Sequence, residues 1–296
     1  MTQPSAQQIR SAVRLALDED LSSGDVTTAA LFPRPLAARG TVVAHHPMTV
    51  AGIAVAKQVF AHVDPALAIV RTVRDGARVQ TDAPVLIVQG DARSLLKAER
   101  VALNFLQRLS GIATLTDRFC NAVSGYPARI LDTRKTTPGL RALEKWAVSL
   151  GGGVNHRRSL GDGILIKDNH LALLRNRAGI AEACRLARTR RPRGSAVIVE
   201  VQSLDQVREA LDGKADIILL DNMTPALVRK ATALVKGLAL IEVSGGITLR
   251  NVRAMAAAGA DRISVGALTH SAPAANLSMD IAAAPDASRR SHKRGR

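Results

Sequence analysis

Aromatic residues make up only 2% of the 296-residue chain: one Trp, one Tyr and four Phe. A core built from it must be aliphatic, and recognition of nucleic acid by stacking bases on aromatic rings is disfavoured. There are two cysteines, Cys120 and Cys184, far apart and each inside a helical pattern. They lack metal-ligand spacing and read as buried thiols, not as a disulfide. No apolar run approaches the roughly 20 residues of a membrane span. The opening MTQPSAQQIRSAVRLALDEDL has no apolar signal core and carries acids early, so a cytoplasmic protein without a membrane partner is expected. A P-loop is missing, the GGGV run lacks a G-x-G-x-x-G continuation, and no Ser or Cys nucleophile sits beside a recognisable base.

What the chain does have is aliphatic residues and positive charge. Hydrophobic residues reach 47%, enough for a sizeable core. The net charge is +16, and 32 of the 41 basic residues are Arg. Such a balance attracts acidic ligands, but the Arg residues are scattered, which also fits a general compositional bias. The exception is the tail Arg289–Arg296, a short polar run expected to be disordered.

Along the chain, Ile9, Val13 and Leu17 mark a first helix, and Ser22-Ser23-Gly24-Asp25 reads as its stop followed by a turn. Strand-like runs at 40–46, 67–73 and 84–88 and a helix over 52–60 show no regular alternation, which suggests an α+β domain. The adjacent His45 and His46 would point to opposite faces of a strand and are assigned no role. A long helical pattern over 94–123 can bridge two domains. From residue 128 the pattern turns regular. Apolar runs at 129–131, 163–166, 196–201, 215–220, 238–243 and 262–265 alternate with helical stretches at 140–150, 178–188, 204–211, 225–235 and 250–258. That predicts parallel strands with right-handed crossovers: an α/β fold of about six strands, short of the eight of a full barrel. An open doubly wound sheet is the alternative.

Ligands of such folds bind at the carboxyl ends of strands. Those ends here read Asp132-Thr133-Arg134-Lys135, Lys167-Asp168-Asn169-His170, Glu200, Asp221-Asn222, Glu242 with Ser244-Gly245-Gly246, and Gly266-Ala267. After the glycine run at 151–153 come Asn155, His156 and Arg157. Arg134, Lys135, His156, Arg157 and Lys167 form a candidate site for a small polyanion. A lone acid such as Glu200 among Val and Ile is costly to bury unless paired. With Asp221 it could face one cavity, binding ribose hydroxyls or Mg²⁺, which takes oxygen ligands and substrate phosphates. The glycine loops at 244–246 and 266–267 suit a phosphate, because backbone N–H groups can approach it and a following helix favours negative charge.

The runs DTRKTTPGLR, GGGVNHR and ILIKDNH, with ERVALNFLQRLSGIAT and EDLSSGDVTT, occur in an order that resembles the quinolinate phosphoribosyltransferases, from Leu17 to Ile281. The resemblance implies an N-terminal α+β domain over 1–112, joined by 272–296, and an incomplete α/β barrel over 113–271. It implies a decarboxylating pentosyltransferase of NAD biosynthesis: quinolinate and phosphoribosyl pyrophosphate give nicotinate mononucleotide, pyrophosphate and CO₂, with Mg²⁺ as the only cofactor. It assigns Arg134, His156, Arg157 and Lys167 to the quinolinate pocket, and Arg100 to the same pocket from a partner subunit of a homodimer or an oligomer of dimers. Thr133 belongs to the substrate-binding set, Lys135 with phosphoribosyl pyrophosphate, and Glu200 and Asp221 with the ribose and Mg²⁺. Ser244, Gly245, Gly246, Gly266 and Ala267 belong with the 5-phosphate. Lys135, Lys167, Glu200 and Asp221 are the expected catalytic groups. The alternatives are a molybdate-associated paralogue acting on another acidic ring, an ATP-using nicotinate phosphoribosyltransferase, and a nucleic-acid binder.

Overall fold

A computed structural model describes residues 3–174 and 179–284. The basic tail, and the first residue of the helix expected from 178, lie outside them. In chain order come α1 (Ala6–Leu21), α2 (Val26–Leu31), β1 (Ala37–Ala44), β2 (Met48–Thr49), α3 (Ile53–Val63), β3 (Ala68–Thr72), β4 (Arg78–Val79), β5 (Pro84–Asp91) and α4 (Ala92–Ala122). Then follow β6 (Arg129–Leu131), α5 (Arg141–Leu150), β7 (Ile164–Ile166), α6 (Asp168–Leu174), α7 (Ile180–Arg190), β8 (Val197–Val201), α8 (Leu204–Asp212) and β9 (Ile217–Asp221). The last are α9 (Pro225–Val235), β10 (Leu240–Ser244), α10 (Val252–Ala257), β11 (Arg262–Ser264), α11 (Ala267–His270) and β12 (Leu277–Ala283). Two compact units result. One takes in the chain up to Thr114 and again from Pro273; the other runs Leu115–Ala272.

The first unit carries an antiparallel sheet in the order β12-β1-β5-β3 and a small β2-β4 pair. Its helices start on side-chain caps. Ser5 and Gln8 form a reciprocal capping box on α1. The Asp75 carboxylate accepts from the backbone N–H groups of Gly52, Ile53 and Ala54 at the start of α3. The Ser22–Asp25 stretch does more than stop α1: Asp25 Oδ1 accepts from Thr28 N and opens α2.

The second unit is a parallel sheet in the order β6-β11-β10-β9-β8-β7. From β7 to β11 each strand lies beside its successor, and β6 closes on β11. An order that runs one way, without reversing, is that of a barrel and not of a doubly wound sheet. Among the described residues β6 and β7 do not pair with each other, so the barrel is incomplete. At its β6 edge Val154, just past the glycine run, makes an isolated parallel bridge to Leu131.

Alternation along the strands sorts the side chains. Val197, Val199, Val201, Ile218, Leu220, Ile241, Val243 and Ile263 share one parity and are all buried. The other parity carries Ile198, Ile217 and Leu219, an apolar cluster packed with Leu165, and beyond it Glu200, Asp221, Glu242, Ser244, Arg262 and Ser264. Cys184 is buried as expected, whereas Cys120 is only half-buried; both are free, and burial pushes each thiol up to about 11.

Candidate active site

The polar parity opens into a cavity of about 500 Å³ at the carboxyl ends of the strands. Basic groups on its wall are Arg134, Lys135, Arg157 and Lys167; acids are Glu200, Asp221 and Glu242. Thr133, His156, Asn222, Ser244, Gly245, Gly246 and Ser264 complete the polar lining. A second hollow of about 530 Å³ opens toward the amino ends of β7, β8 and β9. Asp162 is the carboxylate on its lining and the paired acids are not there, so the first cavity is the candidate site.

The two basic segments meet because of one buried ion pair. Asp132, fully buried at the end of β6, accepts from Lys145 Nζ of α5 at 2.5 Å, His156 N at 2.8 Å and Asn155 Nδ2 at 2.7 Å. Burial pushes the Asp132 carboxyl up and the Lys145 ammonium down, and their mutual attraction opposes both shifts. The pair pins Thr133-Arg134-Lys135 beside His156-Arg157. The Lys135 carbonyl also accepts from Thr269 Oγ1 of α11 at 2.7 Å. Thr137 is held through its N–H and hydroxyl by buried Glu144.

The Arg134 and Arg157 guanidinium groups repel each other, and Asp162 only partly compensates Arg157. Burial, and then the neighbouring Arg134, lower the Arg157 pKa. Arg134 Nε is buried without a hydrogen-bond partner among the described residues. An orphaned buried donor costs about 1–3 kcal/mol, which an anionic ligand would relieve. Opposite, burial raises the Glu200 carboxyl, and Asp221 and Asp168 raise it further against Lys167, whose Nζ is 3.7 Å away. Asp221 Oδ2 accepts from Asn222 Nδ2 at 2.8 Å.

His156 is nearly enclosed. Its Nε2 lies 3.1 Å from Glu242 Oε1 and its Nδ1 accepts from Arg157 N at 2.8 Å. Glu242, with no exposed surface, also accepts from Ser264 Oγ at 2.6 Å and Arg262 Nε at 2.8 Å. Burial acts to raise its carboxyl, but His156, Ser264 and Arg262 outweigh it and the net shift is downward.

The third wall is the loop after β10. Gly245 has φ +88°, and a Cβ there would lie 2.2 Å from Asn222 Oδ1. Only glycine fits. The helix expected over 250–258 after this loop is α10, which begins at Val252. Gly266 and Ala267 are not on the wall, but Gly266 caps α11 and a Cβ on it would come 3.3 Å from Lys135 Cδ. Arg100 sits exposed on α4, in the other unit. Glu242 and Asn222 were read at strand ends without a role, and Ser264 was given none. The signal for Glu242 was its parity with Ser244 in the run LIEVS.

Two family models match the chain: "Quinolinate phosphoribosyl transferase, N-terminal domain" over residues 25–110, and its "C-terminal domain" over 112–280. The chain is 43% identical to the nicotinate-nucleotide pyrophosphorylase [carboxylating] of Mycobacterium leprae, covering 92% of this chain and 96% of that one. It is 39% identical to a mitochondrial quinolinate phosphoribosyltransferase [decarboxylating] of Nicotiana tabacum, covering 92% and 82%. Among solved structures it is similar to the nicotinate-nucleotide pyrophosphorylase of Francisella tularensis, with TM-score 0.88, 36% identity and coverage of 95% and 98%.

Proposed function

Because the chain belongs to the quinolinate phosphoribosyltransferase family, we propose that it moves the phosphoribosyl group of phosphoribosyl pyrophosphate onto quinolinate, giving nicotinate mononucleotide, pyrophosphate and CO₂. The observation that carries this reading is the pairing of Arg134, whose Nε is buried without a partner among the described residues, and the neighbouring Arg157 with Glu200 and Asp221 across one cavity. Planar guanidinium forks grip carboxylates in bidentate fashion, and quinolinate brings two. Arg134 and Arg157, with Lys167, hold the dianion and aim its ring nitrogen at the sugar. Thr133 and Lys135 take the diphosphate. Ser244, Gly245 and Gly246, supported by Gly266 and Ala267, take the 5-phosphate.

Chemistry then divides among these groups. The bond from the sugar carbon to the diphosphate oxygen breaks, and the ring nitrogen supplies the electron pair for the new bond. Positive character builds on the ribose, where Glu200 and Asp221 stabilise it. Lys135 offsets charge on the departing pyrophosphate. The pyridinium nitrogen is now cationic, so the carboxylate beside it leaves as CO₂. The electron pair left on that carbon is stabilised by the adjacent positive nitrogen until a solvent proton takes its place.

The Asp221 charge helps to raise the Glu200 carboxyl, and a divalent cation beside the two would offset that repulsion. Among the described residues no group of three acids, histidines or cysteines could enclose a metal. Glu200 and Asp221 would hold Mg²⁺ together with substrate phosphates and water, and it would supply electrostatic stabilisation of the pyrophosphate. We further assign a homodimer, alone or as part of a larger oligomer, in which Arg100 reaches the partner's site. We place the enzyme in the cytoplasm, without nucleic-acid partners. No helix among the described residues is long and apolar enough to cross a membrane.

The test is incubation of the protein, phosphoribosyl pyrophosphate and Mg²⁺ with quinolinate or with nicotinate. Nicotinate mononucleotide and CO₂ from quinolinate alone are expected. Product from nicotinate, or from neither ring, would overturn the assignment.

A further inference from the structure

We infer that Glu242 is a positioning residue for the dicarboxylate clamp, acting through His156 on Arg157. The starting point is the hydrogen-bond balance of the His156 ring. Its Nδ1 accepts from the Arg157 backbone N–H at 2.8 Å, so that nitrogen carries a lone pair and no proton. The ring proton therefore sits on Nε2, where Glu242 Oε1 lies 3.1 Å away and accepts it. His156 is thus a neutral ring in one tautomer, with both nitrogens engaged inside the protein. It has neither a proton to give to substrate nor a charge to offer it.

What the ring does instead is transmit a position. Glu242 is anchored on the barrel's inner face by Ser264 Oγ at 2.6 Å and Arg262 Nε at 2.8 Å, both from β11. From that rigid strand pair it fixes the imidazole, and the imidazole fixes the backbone of Arg157. The preceding peptide is held separately, since His156 N donates to Asp132. The residue bearing the guanidinium is therefore pinned from β10 by Glu242 and from β6 by Asp132, though it lies on a loop that has just left the sheet. A buried carboxylate with three donors on two oxygens is costly to assemble. Its return is a clamp held to the tolerance that catalysis demands.

This inference rests on Arg157 contacting quinolinate, so the experiment separates the two claims. Glu242→Gln places an NH₂ where one carboxylate oxygen was, and one of the three donors must lose its acceptor. His156→Gln retains a donor toward Glu242 but removes the Nδ1 acceptor. Both variants should raise KM for quinolinate roughly tenfold, with KM for phosphoribosyl pyrophosphate and kcat within about threefold. ¹⁵N NMR of the imidazoles should show His156 as the neutral Nε2–H form in the wild type, and Glu242→Gln should perturb that signature. Arg157→Ala is the control. If it leaves KM for quinolinate unchanged, the pocket assignment itself fails. If it raises that KM while Glu242→Gln and His156→Gln do not, or raise both KM values alike, the positioning role is overturned and the pocket stands. A protonated ring or the opposite tautomer in the wild type would also overturn it. Should Glu242→Gln not fold, His156→Gln and the wild-type spectrum decide the question alone.

Discussion

Lys167 Nζ lies 3.7 Å from Glu200 Oε2, so a cation assigned to the acid ring faces a carboxylate assigned to the ribose. Glu200 keeps its charge at a cost. Burial raises its carboxyl, Asp221 and Asp168 add to this, and Lys167 only partly compensates. A carboxylate whose pKa is higher folded than unfolded stabilises the fold below its unfolded pKa. That contribution is lost as pH rises through the folded pKa. Above the carboxylate range, then, ionised Glu200 works against folding. Glu200→Gln should raise Tm at neutral pH while lowering kcat by about 10²-fold or more, the expected trade at a site kept for chemistry. The Tm advantage should vanish on acidification, where the wild-type side chain is protonated too. Thermal scans from neutral to acid pH would check both. An unchanged or lower Tm at neutral pH would count against the account.

Arg134 offers a sharper probe of which substrate goes where. Its Nε is buried without a partner among the described residues, so its favourable bonds await a ligand. Arg134→Ala should weaken quinolinate binding by about 2–4 kcal/mol, the loss of a charge-assisted pair. Phosphoribosyl pyrophosphate binding should change by less than about 1 kcal/mol. Titration calorimetry of each substrate alone reads both numbers, and equal losses would defeat the assignment.

Gly245 and Gly246 are neighbours that should behave differently on substitution. Both have positive φ, but a Cβ at Gly245 would strike Asn222 Oδ1, whereas at Gly246 nothing lies within 4 Å. Gly246→Ala should cost only the left-handed backbone penalty, about 1–2 kcal/mol. Gly245→Ala must move either the loop or Asn222, so KM for phosphoribosyl pyrophosphate should rise about tenfold or more and KM for quinolinate little. Steady-state kinetics with urea unfolding of both variants would tell them apart.

The reach of the sequence follows from these cases. The six strands of the second unit were legible because one parity of each is unbroken Val, Ile and Leu, and the polar residues that interrupt the other parity mark the cavity. Short elements were not legible. The two-residue β2 and β4 and the four-residue α11 are below the length at which periodicity can show. The helix α2 was hidden behind a stop signal whose last residue, Asp25, is a start signal. Val154 carries no strand signal of its own, because its bridge to Leu131 depends on a partner 23 residues earlier. Arg134, Arg157, Glu200 and Asp221 could be picked out by position at strand ends. Glu242 was visible only as one more acid, since its meaning lies in His156, which a different segment supplies.

The ion pair Asp132–Lys145 links fold and site most directly. Both side chains are buried and joined at 2.5 Å, and Asp132 also holds the backbone of His156. Lys145→Met should cost about 3–5 kcal/mol by leaving an uncompensated buried acid, and Asp132→Asn a comparable amount. The double variant should recover part of the sum, because neither charge remains to be paired. Urea unfolding at neutral pH measures the cycle, and strict additivity would mean that the pair is not coupled.

Arg100 tests the proposed assembly, and the arithmetic is independent of contact energies. Suppose each site uses Lys135 of its own chain and Arg100 of the partner. Arg100→Ala and Lys135→Ala homodimers are then both inactive. In a hybrid dimer the chain carrying Arg100→Ala keeps its own Lys135 and receives an intact Arg100 from the other, so one of its two sites is whole. Both lesions fall in the second site. Random reassortment makes about half the dimers hybrid, so the mixture should recover about a quarter of wild-type activity. If Arg100 serves its own chain, every site in the hybrid carries one lesion and nothing is recovered. Mixing the inactive variants under mild denaturation, then refolding and assaying, distinguishes the two. Size-exclusion chromatography with light scattering must show that dimers re-form before a null result counts against the exchange.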